Sequence, residues 1–147
     1  EIESAVPDFA RVVVNEDYRQ GRATSLKRGA EVLTGETEAV LVLSVDQPRP
    51  SWLTHRLIER GRVARALIVS PSFASGFGHP ILLDGSLLRE LCEVQETTLG
   101  LRAVIDRHVE KAVSVPVANS LVHVDLNTQE DYEAGLAAFQ SAQWREI

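Results

Sequence analysis

The chain has 147 residues, 44% of them hydrophobic and 5% aromatic, which suits one soluble domain with a core of Val, Leu, Ile and Ala. Its 15 Lys and Arg against 21 Asp and Glu leave a net charge of -6, which argues against a general nucleic-acid or anionic-membrane binder, since either needs a basic face. The single cysteine, Cys92, excludes an internal disulfide and a multi-cysteine zinc site, and no apolar run approaches the roughly 20 residues of a membrane span.

The opening Glu1-Ile2-Glu3-Ser4 lacks a signal-peptide pattern, so a cytoplasmic protein is expected. No methionine occurs anywhere, and the expectation is that a natural N-terminal portion precedes Glu1. Along the chain, apolar runs alternate with stretches of helical period, the pattern of an α/β protein with a mainly parallel sheet. Val12-Val13-Val14 predicts a short buried strand, and residues 40–45 a stronger one covered on both faces. Residues 66–69, 80–83, 112–115 and 121–124 predict further short strands. Ser51 is expected to cap a helix carrying Leu53 and Leu57, and Ser86 one carrying Leu87, Leu88 and Leu91. Leu101, Val104, Ile105 and His108 share one helical face. Thr128 with Asp131 reads as a capping box, after which Tyr132, Gly135, Leu136 and Phe139 share a face; residues 143–147 show no period. There is no repeat or linker, so residues 1–147 are expected to be one domain, or most of one.

Four constellations carry candidate chemistry. In Val45-Asp46-Gln47-Pro48 a carboxylate follows a strand, where open α/β sheets place their ligands. Pro48 stops the ladder and holds Gln47 extended, which fixes the direction of Asp46. Such a carboxylate suits Mg²⁺, which takes few protein oxygens and completes its shell with water and phosphate. On spacing alone, Asp46 is equally well a turn or helix-capping residue. Asp125, in Val124-Asp125-Leu126-Asn127-Thr128, stands likewise before a helix and offers a second ligand, although turn chemistry also explains it. Gly21 to Gly29, with Arg22, Lys27 and Arg28, leads into a helix start suited to an anion, or to solvent; its spacing is not that of a P-loop. Gly78-His79-Pro80 places a histidine between a glycine and a proline, either as a general base or as a loop-shaping residue. His55, His79, His108 and His123 show no paired spacing, which sets zinc aside, and Cys92 sits on a helix face as a core residue.

The order of these pieces resembles the MobA-like nucleotidyltransferases, and within them the molybdenum cofactor cytidylyltransferases. The resemblance rests on Gly21…Thr24-Ser25-Leu26…Gly29, Asp46-Gln47-Pro48, Gly78-His79-Pro80-Ile81-Leu82, Gly100-Leu101-Arg102 and Val124-Asp125-Leu126-Asn127-Thr128, and runs from about Val12 to about Leu136. It implies a three-layer αβα, Rossmann-like fold whose first strands, with the glycine-rich triphosphate loop, lie upstream of this sequence. The reaction it implies is attack by the phosphate of molybdopterin on the α-phosphate of a nucleoside triphosphate, CTP before GTP, with release of pyrophosphate. Asp46 and Asp125 would hold Mg²⁺, and Asp46 and His79 would be catalytic. Ser25, Leu26, Gln47 and Pro48 would lie near the nucleotide, and Gly78, His79 and Pro80 near the pterin. A molybdoenzyme receiving the cofactor is an expected partner. The sequence departs from the family pattern at Thr97-Thr98, where Gly-Asp is usual, and at Arg22. A non-catalytic module that binds a pterin, a nucleotide or a protein is the alternative, and a transferase acting on another phosphorylated acceptor is a third reading.

Overall fold

Most of the apolar runs that read as strands meet in one mixed sheet. The computed structural model describes residues 6–74, 76–118 and 120–141. The chain divides into two units, Glu1–Thr37 with Leu88–Arg107, and Glu38–Leu87 with His108–Ile147.

The second unit holds the sheet: β1 (Ala39–Val42), β2 (Ile68–Phe73), β3 (Gly76–Phe77), β4 (Ile81–Asp84) and β5 (Ala112–Pro116). In β2, Ile68 faces Leu83 of β4 on one side and Ala112 of β5 on the other, and β1 lies beyond β4. The fold is mixed α/β with helices flanking the sheet, but its strand directions differ from the expected mainly parallel order. Among the described residues only β2–β5 is parallel, while β1–β4, β2–β4 and β2–β3 are antiparallel. The helix α2 (Ser51–Ala64) provides the one long crossover between β1 and β2 in this unit, whereas the short connection from β2 to β3 reverses the chain and β4 continues in the direction of β3, so both run antiparallel to β2.

α2 packs on the sheet through Leu53 and Leu57, four residues apart and both fully buried. Leu57 meets Val69, Leu82 and Val115, while Leu53 meets Val117, Leu121 and Val122. Ser51 is the first helical residue and not the cap; that place belongs to the extended Pro50. Near the other predicted cap, the Asp84 carboxylate accepts from the backbone N–H and hydroxyl of Ser86, so Asp84 shapes this turn.

The run at residues 121–124 is a turn of 3-10 helix (Ser120–His123) and not a strand. Its apolar side chains are buried as expected, but the carbonyls of Val122 and Val124 accept from the Arg49 side chain instead of a neighbouring strand. The predicted strand at 40–45 ends at Val42; Leu43 is exposed, Val45 fully so, and the chain turns where Gln47 N–H donates to Ser44 O. As an edge strand, β1 is half-buried and not covered on both faces.

α5 (Gln129–Gln140) starts with the capping box: Thr128 Oγ1 accepts from Asp131 N–H, and the Asp131 carboxylate accepts from Thr128 N–H. Thr128→Ala is expected to lower stability by about 1 kcal/mol, read as a shifted urea midpoint at unchanged slope. α5 buries Gly135, where an added Cβ would stand 2.8 Å from Leu126 Cδ2, and Ala138 packs on the core. The helix approaches on this stripe of small residues, so Tyr132, Leu136 and Phe139 stay largely exposed, against the expected apolar contact face.

The first unit contains α1 (Arg22–Ala30), α3 (Leu88–Cys92) and α4 (Leu101–Arg107). Ala23, Ala30, Leu91, Val94 and Val104 are buried there. Val12-Val13-Val14 forms no strand, and Val12 and Val14 are exposed. A three-residue apolar run needs a partner ladder, and the described residues of this unit contain no strand. Cys92 is a half-buried free thiol. The predicted aperiodic segment 143–147 lies outside the described residues. No helix among the described residues is long and apolar enough to cross a membrane.

Candidate active site

The second unit brings Asp46, Gln47, Pro48, Gly78, His79, Pro80 and Asp125 to three adjoining loops. A residue that the motif reading passed over, Arg49, ties these loops together. Held between Pro48 and Pro50, its guanidinium donates through Nε to His79 O at 2.8 Å. Nη1 donates to Pro48 O and Val124 O, both at 2.8 Å, and Nη2 to Val122 O at 3.1 Å. One side chain thus supplies the loop at 78–80 and the loop at 122–126 with hydrogen bonds that a strand would otherwise provide. Burial pulls the Arg49 guanidinium below its ordinary pKa, while the negative charges of Asp125 and then Asp46 push it back up. The Pro48-Arg49-Pro50 sequence restrains the backbone here, but nothing local encodes the distant carbonyls that the side chain meets.

Two further bonds close the arrangement. Leu126 N–H donates to Asp46 O at 2.8 Å, and Gln47 Nε2 donates to Asp125 Oδ1 at 2.8 Å. Gln47 is buried to 8% exposure, Asp46 is half-buried and Asp125 is exposed. The main chain of Asp46 therefore anchors the turn, and Gln47 orients the Asp125 carboxylate.

Gly78 is buried with its N–H donating to Pro71 O at 2.8 Å, and His79 N–H donates to Val122 O at 3.2 Å. The His79–Pro80 peptide is cis. A Cβ on Gly78 would stand 2.5 Å from both Val122 Cβ and Val122 O, so glycine is required here by backbone approach. Gly78→Ala is expected to cost about 2 to 3 kcal/mol by overpacking, measurable by urea unfolding, and to shift the resonances of Val122 and His79.

The oxygen chemistry of this cluster fits a hard divalent cation. Asp46 and Asp125 offer carboxylates, and Gln47 Oε1 is buried without a hydrogen-bond partner among the described residues. Among the described residues no group of three or more His, Cys, Asp or Glu could hold a metal. The fit is therefore to an ion such as Mg²⁺, which takes one or two carboxylates and leaves its other positions to water and substrate.

Ser25 and Leu26 lie in the first unit, on α1. Ser25 Oγ accepts from Asn15 Nδ2 at 2.9 Å. The cleft in that unit, about 1070 Å³, is lined by Thr24, Lys27 and Arg28 and by the valine run, not by Ser25 or Leu26. Lys27 and Arg28 fall in the last turn of α1, not the first. The N-terminus of α1, read as a free anion site, is already taken: Ala23 N–H donates to Glu96 Oε2 at 2.8 Å. Gly21, at φ 120°, lies so close to this carboxylate that a Cβ would stand 2.5 Å from it. Glu96 carries no motif, and only its place beside Thr97-Thr98 drew attention to the region. Arg102 pairs with Asp106 one turn along α4, on the surface.

Among solved structures, the chain is similar to the homologue of Mycobacterium tuberculosis Rv0371c from Mycobacterium sp. strain JC1, with 26% identity and a TM-score of 0.62, covering 78% of this chain and 56% of that one. Rv0371c from M. tuberculosis H37Rv gives 23% identity and a TM-score of 0.73, covering 92% of this chain and 69% of the other. Its manganese complex gives 23% and 0.69, covering 92% and 72%. The chain thus spans a little over half the length of the first of these proteins. No curated protein gives a significant sequence match. The sequence profile of the MobA-like NTP transferase domain matches residues 2–113, which include Asp46, Gln47, Pro48, Gly78, His79 and Pro80. By that match over most of its length, the chain belongs to the MobA-like NTP transferase family.

Proposed function

We propose that this chain is the greater part of one nucleotidyltransferase domain, which transfers a nucleoside monophosphate from an NTP to a phosphorylated acceptor and releases pyrophosphate. The observation that carries the reading is the joining of the Asp46, His79 and Asp125 loops through the single Arg49 side chain. In phosphoryl-transfer chemistry the protein mainly positions groups and offsets charge, and carboxylates held on a rigid frame suit that task. Asp46 and Asp125 would hold the divalent cation, with Gln47 setting the direction of Asp125. When bound, that ion supplies positive charge against the phosphate oxygens. Mg²⁺ is the proposed ion, and the manganese complex of the similar Rv0371c supports a divalent cation at this fold.

The finer assignment is to the molybdenum cofactor branch, with CTP as donor and molybdopterin as acceptor. It rests on the Asp46-Gln47-Pro48 and Gly78-His79-Pro80 pair. In this reading Gln47 and Pro48 border the nucleotide. Gly78 and Pro80 would shape the pterin side, and His79 would move the acceptor's proton. A cytoplasmic setting, where nucleotides are abundant, and delivery to a molybdoenzyme belong to the same proposal.

The test is pyrophosphate release from CTP or GTP with Mg²⁺ and molybdopterin. Release that needs the pterin and prefers CTP supports the assignment. Release with another phosphorylated acceptor only would move the substrate. The second reading, a module that binds without turnover, is favoured by the Glu96 carboxylate at the α1 N-terminus, where a ligand anion would otherwise sit. Nucleotide binding with no pyrophosphate from any acceptor selects it.

A further inference from the structure

We infer that Arg49 is a positioning residue whose fixed positive charge holds down the affinity of the Asp46–Asp125 pair for a bare divalent cation, so that the cation loads together with a polyphosphate anion. The inference rests on the reading of Asp46 and Asp125 as cation ligands and adds the condition under which they load.

All four hydrogen bonds that Arg49 makes among the described residues go to main-chain carbonyls of His79, Pro48, Val122 and Val124. The guanidinium is therefore held by neutral acceptors and not consumed by a salt bridge, while the charges of Asp125 and Asp46 both act on it. Two carboxylates and one guanidinium sum to a charge of about -1. A lone divalent cation would overcompensate this site, lying close to a guanidinium that cannot withdraw from its carbonyls and cannot lose its proton near neutral pH. A cation arriving with phosphate oxygens brings the negative charge that balances the site, and Arg49 then attracts that complex.

The probe is Mn²⁺ alone, followed through the loss of its free paramagnetic resonance signal on the full chain, with and without CTP. Asp46→Asn identifies which part of the binding belongs to this site. Arg49→Gln, which removes the charge but keeps an amide donor, is expected to bind Mn²⁺ alone about tenfold more tightly, the order set by one unit charge in a partly screened interior. Arg49→Lys, which keeps the charge but loses the planar fork, is expected to bind it as weakly as the wild type. A folded Arg49→Gln protein with unchanged affinity for Mn²⁺ alone overturns the inference.

If Arg49→Gln does not fold, the wild type decides. With the protein-free Mn²⁺–CTP equilibrium measured and subtracted, Mn²⁺ bound to the protein about tenfold more weakly alone than as its CTP complex supports the inference, and equal affinity overturns it. Tightened Mn²⁺ binding in Arg49→Gln with no CTP binding by any form would instead remove the nucleotide reading and leave the role of Arg49 standing. Mn²⁺ binding that Asp46→Asn leaves untouched removes both.

Discussion

Asp46→Asn is expected to lower the rate of pyrophosphate release by about a thousandfold while leaving the fold intact. The size follows from the several kcal/mol that a phosphate-bound cation contributes to the transition state, at about 1.4 kcal/mol per factor of ten. The fold should survive because the anchoring bond at this position is made by the main chain: Leu126 N–H donates to Asp46 O, and asparagine keeps that carbonyl. Asn is also nearly isosteric and still offers one weak oxygen ligand. The urea midpoint should therefore move little while the rate collapses. A rate within tenfold of wild type would show that Asp46 does not ligate the cation.

Arg49→Met is expected to act in the opposite manner, with stability reduced by about 3 kcal/mol. The substitution keeps most of the aliphatic stem but removes the side-chain donor from the carbonyls of His79 and Val124, and leaves Val122 O with His79 N–H. Each bond to a charged donor is worth roughly 1.5 to 3 kcal/mol. The half-buried setting and water entry make the total much less than a sum over all of them. Arg49→Lys should recover part of the loss, since an ammonium reaches one or two carbonyls but lacks the planar fork. Amide exchange near Val122 and His79 should accelerate in Arg49→Met before exchange in β2 does, because the clamp serves the loops and not the sheet. Uniform acceleration throughout the second unit would assign Arg49 to general packing.

These two residues also show what the sequence makes legible. Asp46 is visible because a carboxylate followed by Gln47 and Pro48 at the end of an apolar run is a local pattern. The Thr128–Asp131 capping box is visible for the same reason, since it depends on neighbours within a few residues. Arg49 depends on carbonyls 30 to 75 residues away in the chain, and no local period encodes them. The misread segments share this cause. Residues 121–124 have the hydrophobicity of a strand, but the carbonyls of Val122 and Val124 accept from the Arg49 side chain and no strand forms there. Val12-Val13-Val14 likewise reads as a strand from composition alone, and ladder pairing is a tertiary property. The free anion site at α1 failed for a related reason: Glu96, 73 residues downstream of Ala23, supplies the carboxylate that meets the helix N-terminus. The antiparallel direction of β3 and β4 follows from the short connection after β2, which apolar runs do not specify.

We propose that residues 46–50, 78–80 and 122–126 form one site that takes a cation together with a nucleotide. The most direct measurement is a ¹⁵N amide spectrum of the full chain titrated with Mn²⁺ and CTP, in which paramagnetic broadening maps every amide near the ion. Broadening should begin at Asp46, Gln47, Leu126 and their loop neighbours, strengthen when CTP is added, and disappear in Asp46→Asn. Broadening confined to other acidic surface residues, or indifferent to CTP and to Asp46→Asn, would contradict it.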